Sequence, residues 1–554
     1  MSSSSSSSEN GACLVVRTLL RGGVDTMFAN PGTTEMLIVD ALDRVVEEEK
    51  KMRGVLCLHE TVCSGAADGY ARMTGRPACT LLHLGVGLAN ASANLHNARR
   101  ACAPIINLVG DMATWHVGAD PLLASDIEGL AAFASCLVQA PRTPDAMPAA
   151  VAEALVAIRD YRCGESRVAT LALPHDAQRE AASLEEIRKV GSVLEDAKPV
   201  DEVDGLSLFE QSIKVHNEQF GGNDAIPNKV RACAEALKTA SKAALVVGGA
   251  GVYDDRALKA LDAIQRATSC ALVVENAFAR VDRGRGRPAW RRVPYFPGDA
   301  KSFFGKFDAI VFCGARKPVA MFGYDDNISQ ILPEAGVLEI DAMDVPGALQ
   351  YLRDALADAA LPPPPTTKRA TSQQPTGRLN AAKLCQVLAL AQPEGAIVVD
   401  ESLTTGTAYW DLTATAPPFS HLTLTGGSIG IGPPLSVGCA VACPNRRVIN
   451  FQADGSGLYS TPAFWTQAAE DLDITTIVCA NQTYQILKVE QQKQKLSAST
   501  PNAKKLTTLG RVDWVSIAKG YGIEAISVAT AEDLKTALEA SFARKGPYLI
   551  EARL

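Results

Sequence analysis

The fourteen cysteines of this 554-residue chain include no C-x-x-C pair. That excludes zinc knuckles and gives no disulfide framework to read, so reduced thiols of a cytoplasmic protein are expected. Positive charge is not in excess: 54 Lys and Arg against 61 Asp and Glu leave a net charge of −7. The chain therefore lacks the electrostatic footprint of a nucleic-acid binder. Only seven histidines occur, and none lies beyond His421. The string Gly426-Gly427-Ser428-Ile429-Gly430 spells a nucleophile elbow, but such a hydrolase needs a histidine later in the chain. No secretory core is visible either, because ACLVV after the MSSSSSSSENG tail soon meets Arg17 and Arg21. The long charge-free stretch, residues 412–445, is broken by prolines and a glycine-rich run, which suits a buried loop-rich core better than a membrane span.

What is present is alternation. Short apolar runs such as ACTLLHLG, PIINLVGD, AALVVGG, AIVFCGA, AIVVDE and TTIVCAN reach Gly, Asp or Asn at their ends and alternate with amphipathic helical patterns. Such runs predict parallel strands covered on both faces, hence three doubly wound α/β domains. The divisions predicted are a disordered serine-rich tail (1–10), an N-terminal domain (11–180), a charged linker (181–228), a central domain (229–360), a proline-rich linker (361–378) and a C-terminal domain (379–554). Ligands of such sheets sit beyond the carboxyl ends of strands, where Asp400, Asp454 and Asn481 fall.

In the last domain, the strand RVINFQ is followed by Ala453-Asp454-Gly455-Ser456, and the next strand by Asn481-Gln482-Thr483. A carboxylate and an amide closing successive strands are hard oxygen donors of the kind Mg²⁺ takes beside a phosphorylated ligand. Gly455 and Ser456 open a helix whose free N–H groups suit phosphate oxygens. Alone, each half would be an ordinary turn. The spacing resembles the diphosphate-binding motif of thiamine diphosphate (ThDP) enzymes. The resemblance implies Mg²⁺ held by Asp454, Asn481 and the carbonyl of Thr483, with Gly455, Ser456 and Tyr484 beside the diphosphate. The family's leading Gly is Ala453 here, and its second Asn is Ala480; neither change removes a ligand.

A second string, His59-Glu60-Thr61 running to Asp68-Gly69-Tyr70-Ala71-Arg72, resembles the family's catalytic-glutamate helix. The resemblance implies that Glu60 favours the imino tautomer of the aminopyrimidine, that it enters from the partner subunit, and that its small-residue helix packs at a dimer interface. A homodimer at minimum follows, with a dimer of dimers expected. FANPGTTEM and LLHLGVGLAN resemble the benzoylformate decarboxylase branch, where Thr33 and His83 take the places of an active-site serine and the first catalytic histidine. A histidine of near-neutral pKa suits protonation of the enamine formed after CO₂ loss. Asp400-Glu401-Ser402-Leu403-Thr404 resembles a diphosphate-contacting stretch, which marks Thr404. Gly427 and Ile429 match the segment that holds the aminopyrimidine, Ile429 as its apolar wedge.

Departures locate the chain between branches. Met321 or Phe322 stands where the decarboxylase has a second histidine, and Ile486 and Leu487 are bulky at the pocket edge. The G-P-G loop of acetolactate synthase is Gly85-Val86-Gly87 here, and Asp111 replaces its glutamine. Gly248-Gly249-Ala250-Gly251 hints at a dinucleotide turn, with Glu275 ending the next strand, but Asp254 occupies the place of the third glycine. FAD is accordingly conceivable in the central domain and unsupported. The expected activity is non-oxidative decarboxylation of a 2-oxo acid. Acetolactate-synthase-like carboligation is the alternative, and a catalytically silent ThDP-binding homologue is the alternative of another class.

Overall fold

The computed structural model describes residues 8–159, 165–197, 225–324, 328–340, 344–356 and 373–554. Three large sheets and one two-stranded sheet organise them. Six parallel strands form the N-terminal sheet, with Met27–Asn30 paired to Cys79–Leu82 and Ala78–Leu82 to Ile105–Val109 near its centre. The central sheet has five parallel strands around Ala243–Val247. The C-terminal sheet has seven, with Val448–Ala453 and Ile474–Ala480 as inner neighbours. The inner strands Ala78–Leu82, Ile105–Asp111 and Ile474–Ala480 are buried throughout, as apolar runs covered by helices on both faces must be. No described helix is long and apolar enough to cross a membrane.

Two short strands depart from the expected divisions. Ser8–Asn10 pairs antiparallel with Ala181–Ser183, so the end of the tail and the start of the linker both belong to the N-terminal domain. The strand is fixed because Asn10 caps the following helix, its side chain accepting from the Cys13 N–H at 2.9 Å. Ile187 and Leu194, also placed in the linker by sequence, are buried against this domain. Residues 198–224 of that linker and 361–372 of the proline-rich one lie outside the described residues, and the linker's last residues, 225–228, open the helix Ala225–Thr239.

Val281–Arg283, in the central segment by sequence, leaves the central sheet and adds an antiparallel edge to the C-terminal one, against Phe419–His421. Burial drives it. Val281 and Arg283 are both buried, with the Arg283 guanidinium 3.6 Å from the centre of the Trp410 ring.

The small-residue helix Glu60–Thr74 does pack closely on another helix, but its neighbour is Gly432–Ala442 of the same chain. A Cβ at Gly438 would sit 1.8 Å from Ala66 O, and one at Gly69 would sit 2.2 Å from Leu435 O. The glycines thus join the first and last domains within one chain. Arg72 reinforces the joint from the helix end. It pairs with Asp68 and donates to Thr423 O at 2.8 Å and Thr425 Oγ1 at 3.0 Å.

Candidate active site

The end of strand Val448–Ala453 delivers Asp454, and the neighbouring strand Ile474–Ala480 delivers Asn481. Between Asn481 and Thr483 the backbone turns through Gln482 in the left-handed region, at φ 57°. That turn points the Gln482 N–H at Asp454 Oδ2, 2.6 Å away, while Asp454 Oδ1 accepts the Gly455 N–H at 2.8 Å. Asn481 Oδ1 accepts the Thr483 N–H at 3.0 Å. Thr483 is tied from outside, its hydroxyl donating to Thr507 O at 2.8 Å. Burial pushes the Asp454 carboxyl above the usual carboxylate range although these N–H groups pull it down.

One pocket collects Thr404, Asp454, Gly455, Ser456, Asn481, Thr483 and Tyr484, seven of the residues singled out from sequence. Ser402, Leu403 and Ile486 complete much of its wall. Gly455 is required here, because a Cβ would lie 2.5 Å from the Tyr484 ring. A carboxylate, an amide oxygen and a main-chain carbonyl form a donor set that suits a hard divalent cation, and the adjacent helix start suits phosphate.

Gly427 and Ile429 lie outside this lining, on a loop clamped by the N-terminal domain. Asn97 donates to Ser428 O at 2.7 Å and accepts from Gly426 N at 3.1 Å. His96 Nε2 stands 3.1 Å from Gly426 O. The loop's far end is held by Glu401, a buried carboxylate that accepts the N–H groups of Gly430 and Gly432 at 2.6 and 2.7 Å.

Glu60, His83 and Thr33 are likewise absent from the pocket lining and gather in the N-terminal domain. Glu60 is buried at the start of its helix and accepts from Asn90 Nδ2 at 3.0 Å. Gly87 leaves room for it, since a Cβ there would lie 2.9 Å from Glu60 Oε1. The His83 ring stacks over Gly32, next to Thr33, with Nδ1 2.9 Å from the fully buried Glu35. Glu35, Glu401, Gln482 and Asn97 were not assigned roles from the sequence. Glu35, Glu401 and Gln482 stand inside the motif strings, whereas Asn97 left no signal.

Two family models match the chain: the N-terminal TPP binding domain of thiamine pyrophosphate enzymes over residues 9–131, and the C-terminal TPP binding domain over residues 405–552. A Mycobacterium tuberculosis protein named as an acetolactate synthase large subunit, IlvX, is 39% identical over 98% of both chains. The chain belongs to the thiamine pyrophosphate enzymes. Benzoylformate decarboxylase of Pseudomonas aeruginosa is 27% identical, over 96% of each chain. In fold, the chain matches a Rhodococcus jostii 4-hydroxybenzoylformate decarboxylase with a TM-score of 0.79, at 24% identity, over 98% of this chain and 99% of that one. It is a ThDP-dependent enzyme of the decarboxylase or acetolactate-synthase-like type.

Two further sequence readings take their place in this ThDP enzyme. Met321 reaches the 426–430 loop, its Cε 3.8 Å from where a Gly427 Cβ would lie. The glycine turn of the central domain is a packing feature: a Cβ on Gly248 would strike Gly314 O at 2.3 Å, and Glu275 accepts the Arg316 N–H at 3.0 Å.

Proposed function

We propose that this enzyme decarboxylates a 2-oxo acid without oxidation, using ThDP and Mg²⁺. The observation that carries the reading is the convergence of Asp454, Asn481 and Thr483 through the left-handed turn at Gln482. In this reading Asp454, the Asn481 side chain and the Thr483 carbonyl hold Mg²⁺. Thr404, Gly455, Ser456 and Tyr484 hold the diphosphate, and Gly427, Ile429 and Glu60 hold the aminopyrimidine. When bound, ThDP supplies the electron sink for the pair left behind as CO₂ departs.

The chain's own groups then manage protons and water. Glu60, fixed by Asn90, keeps one carboxylate oxygen hydrogen-bonded and offers the other to the ring nitrogen. His83, oriented by Glu35 at Nδ1, carries the proton delivered to substrate at Nε2, with the Thr33 hydroxyl at the same end of the domain. Ile486 and Leu403 add apolar surface to the pocket wall and help to exclude water.

The separation of Glu60 and His83 from the pocket lining within one chain favours a homodimer that supplies them from a partner, with a dimer of dimers as the larger assembly. All described cysteines are free thiols, which fits the cytoplasm.

Carboligation in the manner of acetolactate synthase is the second reading. The 39% identity to IlvX favours it, as does Met321 in place of a proton-donating histidine. CO₂ release from a panel of 2-oxo acids, by stripped protein with ThDP and Mg²⁺ restored, tests both. An aldehyde product supports decarboxylation, and an acetohydroxy acid product supports carboligation. No turnover despite bound ThDP refutes both.

A further inference from the structure

Strand Ile397–Glu401 ends in two consecutive acids, whose side chains project to opposite faces of the sheet. Each acid grips the main chain of a different wall of the cleft. Asp400 Oδ1 accepts the Ser402 N–H at 3.0 Å and the Ser402 hydroxyl at 2.5 Å. This closes a tight turn that drives Leu403 into the left-handed region, at φ 52°, and presents Leu403 and Thr404 to the diphosphate pocket. The other oxygen, Oδ2, faces His421 Nε2 at 3.2 Å from behind.

Glu401 works on the far wall. Its Oε1 accepts from Gly430 N and its Oε2 from Gly432 N, while Gln452 Nε2 donates to Oε2 at 3.0 Å. Gly430 sits at φ 95°, and its carbonyl accepts from the Ser460 hydroxyl at 2.7 Å. Three donors converge on one buried carboxylate, an expensive arrangement in a core unless it fixes something. What it fixes is the end of the 426–430 loop.

We infer that Asp400 and Glu401 are a paired positioning device: Asp400 sets the loop that receives the diphosphate, and Glu401 sets the loop that receives the aminopyrimidine. The inference rests on the ThDP reading of the site. It assigns the two halves of one cofactor to two neighbouring side chains, so the halves can be probed separately.

The test is titration calorimetry of the full-length protein with magnesium pyrophosphate, which has only the diphosphate half, and with ThDP plus Mg²⁺. Asp400→Ala should weaken pyrophosphate by about tenfold or more, and Asp400→Asn should stay within about threefold because an amide oxygen still accepts from Ser402. Glu401→Gln turns an N–H donor toward the loop; it should weaken ThDP by about tenfold while leaving pyrophosphate within about threefold. Thermal unfolding is followed alongside. If Glu401→Gln does not fold, Ser460→Ala frees the same loop at its carbonyl and should show the same split. Equal losses for both ligands in both variants would reduce the acids to general structural roles and overturn the inference. Unchanged binding in both would do the same. Wild-type protein that binds neither ligand refutes the cofactor reading itself, an outcome distinct from failure of the pair.

Discussion

Glu35 and His83 stand 48 positions apart in the sequence and meet at 2.9 Å, the carboxylate wholly buried and the imidazole partly open. Glu35 is itself anchored, since the same oxygen accepts the Gly32 N–H at 2.7 Å and the other accepts from the Thr34 hydroxyl. The carboxylate therefore occupies Nδ1 and leaves Nε2 for the proton transfer proposed above. Replacing it by Gln keeps the shape and removes the charge. Glu35→Gln should lower kcat by about ten- to a hundredfold, with ThDP affinity unchanged. In a His83→Ala background it should cost little more, because two residues acting as one unit are not additive. Additive losses would separate the two.

The cation-binding reading of the Asp454 loop predicts a linkage. ThDP with Mg²⁺ at about a hundred times its Kd should stabilise the folded state by about 2.7 kcal/mol, visible as a higher Tm. Chelating the metal should cancel most of that gain. Asp454→Ala should abolish it, because the variant loses the only carboxylate of the donor set and also the anchor of the Gln482 turn. A ThDP-induced shift that survives both changes would mean that the diphosphate is held elsewhere.

His421 predicts a pH dependence of stability. It is fully buried, ringed by Phe278, Tyr409 and Phe419, with Asp400, Arg283 and Arg292 as the charged groups around it. Burial lowers its pKa to about 4, outweighing the pull of Asp400. In the unfolded chain the same imidazole titrates near about 6.5. Between those values the unfolded state binds the extra proton, so stability falls as the pH drops through this window. The loss is on the order of 3 kcal/mol by pH 4. Asp400, whose carboxyl is held below its ordinary range by His421 and Ser402, loses its own contribution only at lower pH. Thermal unfolding from pH 8 to 4 should show a steeper decline for wild type than for His421→Gln. Parallel curves would remove His421 as the cause.

The strands were legible because burial on both faces demands unbroken apolar runs, and Ala78–Leu82 or Ile474–Ala480 can be read directly. Ser8–Asn10 and Val281–Arg283 were not. Three-residue strands carrying Glu9 or Asp282 show neither an apolar run nor a useful alternation, and only their partners define them. The same division holds at the site. Asp454 and Asn481 announce themselves by chemistry and spacing. Glu401 and Asn97 bond to distant main chain, and the Gln482 N–H meets the distant Asp454 carboxylate; no local pattern encodes which N–H a buried carboxylate will meet. The small-residue helix shows a further kind of gap: its composition foretold close packing, but not that the neighbour lay in the same chain.

That helix contact gives a stability prediction with an internal control. Gly438 approaches Ala66 so closely that a methyl group would sit 1.8 Å from a main-chain oxygen and 2.6 Å from Tyr70 N. Neither atom belongs to a flexible side-chain end, so relief requires the two helices to part, and with them the first and last domains. Gly438→Ala should therefore cost about 1–3 kcal/mol, although alanine is the better helix former. Gly191, also helical, has nothing within 4 Å of its added Cβ. Gly191→Ala should be neutral or stabilising by about 0.4–1 kcal/mol, through the unfolded chain alone. Differential scanning calorimetry of both variants decides the matter. A Gly438→Ala protein as stable as Gly191→Ala would show that the interdomain joint yields freely, and the close packing would then have no part in holding the 426–430 loop against Asn97.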